Sequence, residues 1–426
     1  MKHSWVRSDR TVRPLERTQD HTSALRGSGY APKLRSDVYE SDIYCSLLPR
    51  PLCVSARPMT DSLSRDPRTK FSIGSNKRGS GDGHLQDPHG LAFDHHRGVL
   101  FVADTFNHRV QVFSSEDGSF VTKFGSRGHK AGRFQFPWGI AVDNDRDRVL
   151  VADYGNHRVQ AWSLSQLSFV SSFGKYGTNE LEFCGIVSLA IDKRHDRLLV
   201  IDGNNKRLQV LSAIDGSFLF AWKLSTTFAV AVDDVRGRII VTDSEQHRVQ
   251  VVSSVDGSAL FEFGSLGDRA GEFNFPRGVC VDLEGRIIVA DASNFRVQAF
   301  TPEGQHLASL ACGSETPFGV AVDEYRGLIG IATETRVHVL GGLNQWLPRT
   351  PPYTWSPARH VQAPFWIKQA VLTIAMIRSL VDESSLSMIP NELLFEIFSL
   401  LDPLPFKPPT RQSVNSVHPE RVCQMM

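Results

Sequence analysis

Between Lys70 and Gly342 the chain repeats one pattern of short apolar runs separated by polar turns. Six runs close on aspartate: Gly90–Asp94, Gly139–Asp143, Ser188–Asp192, Ala229–Asp233, Gly278–Asp282 and Gly319–Asp323. The closing aspartates advance by 49, 49, 41, 49 and 41 residues. After each comes a turn, a second apolar run, a further turn that carries Asn or Gln in the first five units, and a third run opened by arginine. The phrase is fullest in Arg148-Val149-Leu150-Val151-Ala152-Asp153-Tyr154-Gly155-Asn156-His157-Arg158-Val159-Gln160. It recurs around Asp104 and Arg109, Asp202 and Arg207, Asp243 and Arg248, and Asp291 and Arg296; a sixth copy, around Leu328–Ala332 and Arg336–Val339, has lost the aspartate. Tight turns such as Asp117-Gly118 and Asp256-Gly257 lead to a fourth run ending Phe124-Gly125, Phe173-Gly174 or Phe263-Gly264.

Four short strands in every ~40–50 residues, β-branched and apolar on both faces, predict propeller blades sandwiched between neighbours. Six first strands are visible, but only five fourth strands follow them. Lys70–Gly74 supplies the sixth, and pairing it with Arg336–Leu340 closes the ring and removes both open sheet edges. The expectation is an all-β chain: a six-bladed β-propeller over 67–343, with a disordered arm over 1–66. A Pro-rich linker over 344–362, a small C-terminal α-helical segment over 363–403 and a disordered tail over 404–426 complete it.

Composition narrows the function classes. A formal net charge of +1 points toward neither nucleic acid nor membrane. The six cysteines (45, 53, 184, 280, 312 and 423) form no CxxC pair, which suits reduced thiols in the cytoplasm or nucleus. Cys45 and Cys53 alone make no zinc site. No run approaches 18 apolar residues and the N-terminus has no apolar core, so neither a transmembrane helix nor a signal peptide is expected.

The units Pro137-Trp138-Gly139-Ile140-Ala141-Val142-Asp143 and Val151–Gln160 resemble NHL repeats, as does the connecting segment Phe124–Pro137. The resemblance implies a six-bladed propeller used for recognition, as in tripartite-motif NHL proteins and malin-like ubiquitin ligases. Those ligases carry a RING finger ahead of the propeller; the 426 residues here contain none, so no ligase chemistry carries over. Near the C-terminus, Leu393, Leu394, Ile397 and Phe398 fall on one helical stripe within 387–403. Pro390-Asn391-Glu392-Leu393-Leu394-Phe395-Glu396-Ile397-Phe398 resembles the first helix of an F-box, although the later F-box segment is not evident. That helix implies a Skp1-type adaptor; the other reading is a terminal helical pair that simply docks.

The repeated residues Asp104, Arg109, Asp153, Arg158, Asp202, Arg207, Asp243, Arg248, Asp291 and Arg296 read as scaffold, because the pair recurs in five of the six units. His108, His157 and His247 sit on different blades, so no metal is expected, nor any cofactor. The variable positions carry more information. The residues just before each first strand, His89, Trp138, Val187, Phe228, Arg277 and Phe318, are expected at the mouth of the central channel, beside Thr105, Tyr154 and Ser244. Farther out lie Arg127, His129, Lys130, Arg133, Lys175 and Arg269. Aromatics interleaved with Arg and Lys can stack bases and contact phosphates, or serve as a protein hot spot; they can equally cap the channel.

The functional expectation is a non-catalytic recognition scaffold binding a protein target through this face, as a substrate-recruiting component in ubiquitin ligation and proteasomal turnover. The alternative is an RNA-binding propeller in post-transcriptional regulation. A third reading, a lyase or hydrolase of propeller fold, needs converging carboxylates or metal ligands, and the sequence displays no such constellation.

Overall fold

A computed structural model of the chain describes residues 62–347, apart from Asn76 and Thr226. The expectations for 1–61, for the linker beyond Leu347, and for the helical segment with Leu393, Leu394, Ile397 and Phe398 lie outside the described residues.

The apolar runs form six four-stranded antiparallel sheets. Blade 1 spans Pro88–Asp94, Val99–Asp104, Arg109–Ser114 and Phe120–Phe124, and blade 2 spans Pro137–Asp143, Arg148–Asp153, Arg158–Ser163 and Phe169–Phe173. Blades 3, 4 and 5 open at Ile186–Asp192, Thr227–Asp233 and Pro276–Val281. Blade 6 contributes Gly319–Asp323, Leu328–Ala332 and Arg336–Leu340, and its outer strand is Thr69–Gly74 from the start of the repeat region. Ser72 pairs with His338 and Ile73 with Val337, so the ring closes with the anticipated strands.

Each blade is apolar on both faces because its neighbours cover both. Val149, Val151 and Trp162 of blade 2 pack with Phe101, Val112 and Phe124 of blade 1. Leu150, Ala152 and Ala161 face Leu189, Val200 and Leu211 of blade 3. Around the channel the first strands approach closely: a Cβ on Gly139 would lie 2.9 Å from Ser188 Cα, and one on Gly278 would lie 2.8 Å from Gly319 Cα. Glycine is needed there for backbone contact, and the channel is correspondingly narrow.

At the end carrying the first-to-second-strand turns, polar contacts run from blade to blade. Arg97 reaches Asp147 at 3.0 Å and Arg146 reaches Asp196 at 2.5 Å. The Arg194 backbone donates to Asp234. Arg236 donates to the Glu284 carbonyl, Leu283 N to Glu324, and Arg326 to the His95 carbonyl. These links cross every junction from blade 1 round to blade 1 again.

Ordered structure begins before residue 67. Ser62–Arg65 form a helical turn, α1, and Leu343–Trp346 form a second, α2. Leu63, Leu343 and Leu347 are buried against Ile288, Val297 and Leu340 of blades 5 and 6. Leu63 is an isolated apolar residue in a polar stretch, so periodicity gave no sign of it; the partner surface exists only once the ring has closed.

Candidate functional site

The repeated phrase builds the end of the molecule that carries the blade connections. Asp153 is fully buried; its Oδ1 accepts from Gln135 N at 2.7 Å, and its Oδ2 accepts from Asn156, Arg158 and Gln160 at 2.8–2.9 Å. The same donors extend to the connection entering the blade: Asn156 donates to the Gly128 carbonyl, Arg158 to the carbonyls of Lys130 and Arg133, and Gln160 to that of Arg133. Asp104 with Arg109, Asp202 with Arg207 and Asp291 with Arg296 repeat the arrangement at 2.7–2.8 Å. Burial pushes the carboxyls of Asp104, Asp153 and Asp291 above the ordinary range, against the lowering by their Arg, Asn and backbone donors. Asp243 and Arg248 differ because their connection is short: Ser225 Oγ supplies a donor to Asp243, and Arg248 also turns to Glu262 at 2.6 Å.

The recurrent histidines have a backbone task. His108, His157 and His247 hold positive φ of 54–55°, the left-handed corner between the second and third strands. The Nδ1 atoms of His108, His157 and His247 accept from Phe136 N, Gly185 N and Phe275 N, each in the next connection, at 3.0–3.1 Å. Among the described residues no three His, Cys, Asp or Glu side chains converge as metal ligands.

Blade 6 solves the missing aspartate differently. Thr333 stands in its place, and the carboxylate comes from Glu315 in the entering connection. Thr333 Oγ1 donates to Glu315 Oε2 at 2.5 Å, His338 Nε2 lies 3.0 Å from the same oxygen, and Arg336 lies 3.6 Å from Oε1. Nothing in the local pattern announces Glu315, because its role exists only in the folded blade.

Five of the residues expected at the channel mouth, His89, Trp138, Phe228, Arg277 and Phe318, pack against one another. In blades 1 to 5 the first strand shifts register at this point, between Pro88 and Leu91 in blade 1 and between Pro137 and Ile140 in blade 2, for example. A bulge re-aims the intervening side chain. The His89 ring lies 4.3 Å from Trp138 and 4.7 Å from Phe318 between centroids. Trp138 contacts Tyr154 at 5.0 Å and Phe228 at 5.7 Å. The Arg277 guanidinium sits between two rings, 5.2 Å from Phe228 and 4.9 Å from Phe318. All of these are buried except the half-buried Phe228, and Val187, Thr105 and Ser244 are buried with them. Burial and Arg277 push the His89 imidazole down to about 3, and burial pushes the Tyr154 phenol up to about 12. The mouth is a packed plug.

Arg127, His129, Lys130, Arg133, Lys175 and Arg269 are exposed on the long connections. They are not interleaved with the aromatics; Arg277 is the basic residue that enters the plug. The connections expose apolar surface too, at Tyr176 and Leu266. Their shape is set locally: in the 174–185 connection Glu182 accepts from the backbone of Thr178 and Asn179, and in the 264–275 connection Glu272 accepts from that of Arg269.

The family model described as NHL repeat matches residues 85–113, 134–162 and 273–300. No curated protein matches the chain. Among solved structures, a protein of unknown function from Bacteroides thetaiotaomicron aligns with a TM-score of 0.48 and 18% identity, over 63% of this chain and 73% of its own. A gluconolactonase from Xanthomonas campestris aligns with a TM-score of 0.48 and 18% identity, over 61% of this chain and 88% of its own. The chain carries NHL repeats, and its described residues form a six-bladed β-propeller.

Proposed function

We propose that the chain is a non-catalytic recognition scaffold that takes a protein target on its exposed blade connections. The observation behind this reading is the filled channel mouth. His89, Trp138, Arg277 and Phe318 occupy the space in which a propeller-fold hydrolase or lyase would need to hold a substrate. Recognition then falls to the rim around the plug.

The rim's charge favours protein over RNA. The 125–136 connection holds Arg127, Lys130 and Arg133 with no acid, but 174–185 and 264–275 each hold one base and two acids. A phosphate backbone crossing this end would meet carboxylates on two of the long connections. Exposed Tyr176 and Leu266 among mixed charges suit a protein interface, where aromatic anchors within a polar surround carry most of the energy. RNA binding in post-transcriptional regulation remains the second reading, favoured by the 125–136 connection alone. Recruitment to ubiquitin ligation through a Skp1-type adaptor is the further part of the proposal, resting on the resemblance carried by Leu393, Leu394, Ile397 and Phe398.

Affinity purification from lysate split into nuclease-treated and untreated halves tests the reading. Partners retained after nuclease treatment support a protein target, whereas their loss transfers the proposal to RNA. Leu394→Asp with Ile397→Asp should abolish adaptor co-purification and leave the propeller melt unchanged. If the wild type captures no adaptor and the double variant lowers the melt, the ubiquitin part is wrong.

A further inference from the structure

The third strand of each blade carries a polar side chain two residues after its opening arginine. In blades 1 to 5 it is glutamine, at Gln111, Gln160, Gln209, Gln250 and Gln298. In blades 1, 2, 3 and 5 its amide donates to the blade's aspartate and to a carbonyl of the entering connection. In blade 6 the position holds His338, which is fully buried. The change matters chemically, because an imidazole can take up a proton and an amide does not.

His338 links two further side chains. Its Nε2 lies 3.0 Å from Glu315 Oε2, and its Nδ1 lies 2.9 Å from the hydroxyl of Ser72 on the ring-closing strand. Ser72 stands directly opposite His338 in the antiparallel pairing, so strand register fixes the contact. Thr333 Oγ1 donates to the same Glu315 oxygen, and Arg336 lies beside the other. A carboxylate at Nε2 places the ring proton there and leaves Nδ1 to accept from the Ser72 hydroxyl. The chain of contacts thus runs from a carboxylate, through a buried base, to an exposed serine. A hydroxyl within hydrogen-bond reach of a base that a third group orients is the arrangement that activates a serine nucleophile. Among the described residues Thr69–Gly74 is also the edge strand of its sheet. Alternate N–H groups of such a strand face outward, where they can donate to an oxyanion formed beside Ser72.

We propose that Ser72 is a covalent modification site that takes an acyl group from an activated ester, with His338 as the base and Glu315 as its positioning residue. Ser72 Oγ attacks the ester carbonyl; an Oγ–C bond forms and the bond from that carbon to the leaving group breaks. The hydroxyl proton passes to His338 Nδ1 and from there to the leaving group, so the ester is the one co-reactant. The proposal goes beyond the recognition reading. It concerns the outer strand of blade 6 and involves neither the plug nor a protein partner.

Two probes test it on the full chain: a fluorophosphonate, whose serine adduct is stable, and p-nitrophenyl acetate, quenched in acid after brief exposure. Peptide mass spectrometry locates the adducts. Ser172 is the internal standard, because it is exposed on the outer strand of blade 2 and lies opposite Gln160. Both probes should label Ser72 faster than Ser172 by about tenfold or more, the scale of general-base assistance. His338→Gln puts at this position the residue type of the other five blades and should remove the preference. Glu315→Gln should reduce it by about tenfold. Taking the ratio within one sample cancels a general loosening of the fold, which would expose both serines. Equal labelling of Ser72 and Ser172 by either probe in the wild type, or the wild-type ratio in either variant, overturns the proposal.

Discussion

Asp153 shows how much a single residue holds. One buried carboxylate gathers a backbone N–H, an amide from Asn156, the Arg158 guanidinium and an amide from Gln160, and three of these also grip the preceding connection. Removing one partner of a buried ion pair leaves the other charge uncompensated, so Asp153→Ala and Arg158→Ala should each lower stability by about 3–5 kcal/mol. Denaturant melts check this, and a variant that melts like the wild type contradicts the scaffold role. His157 and Glu324 give pH signatures of opposite sense. His157 accepts from Gly185 N, and burial holds its imidazole below its ordinary value of 6.5. Its contribution is present above pH 6.5 and is lost as the pH falls toward the folded-state value, because a protonated ring has no acceptor. His157→Asn keeps an acceptor and tolerates the left-handed corner, so its melting temperature should fall less than that of the wild type between pH 7 and pH 5. Glu324 is pushed up to about 8 by burial and Asp282. Its stabilisation is present below 4.5 and is lost as pH rises through about 8. Glu324→Gln should therefore melt above the wild type at pH 8.5 and match it at pH 4. Parallel pH profiles for variant and wild type would contradict either assignment.

At the scale of elements, closure depends on Thr69–Gly74 lying against Arg336–Leu340, with Leu63 sealing the junction. Deleting residues 1–61 should leave the melt unchanged. Deleting 1–66 should lower it through the loss of Leu63, since full burial of a leucine contributes about 1.5–3 kcal/mol. Deleting 1–74 should abolish cooperative unfolding, as read by circular dichroism; equal melts for the three truncations would contradict the closure. The strands and their order were legible in the sequence because a blade's apolar runs, Asp-Gly turns and Asp-to-Arg corners are local signals. Even the closing strand could be found, by counting first strands against fourth strands. Glu315 was not legible, because it replaces an aspartate from another element. Nor was the plug's closed state: Trp138, Phe228 and Arg277 could be placed at the mouth, but whether they face solvent or one another depends on bulges and on the channel's narrowness. Leu63 lacked a pattern for the same reason, since its partners assemble only in three dimensions.

For the whole molecule, the plug divides the connection end into a packed centre and an exposed rim. Trp138→Ala or Arg277→Ala should therefore act mainly on stability, because both side chains are buried against other members of the plug. Lys130 and Arg133 are exposed, and their side chains can be reversed in charge without touching the carbonyls that anchor the connection. Tyr325, also exposed, lies in the first-to-second-strand turn of blade 6 at the opposite end. The most direct test compares quantitative partner capture by the wild type, by Lys130→Glu with Arg133→Glu, and by Tyr325→Ala, all verified to melt alike. Recognition through the connections predicts that the charge-reversed protein loses the wild-type partners by tenfold or more while Tyr325→Ala keeps them. Capture unchanged by the charge reversal but lost in Tyr325→Ala would contradict it and move the recognition surface to the other end of the propeller.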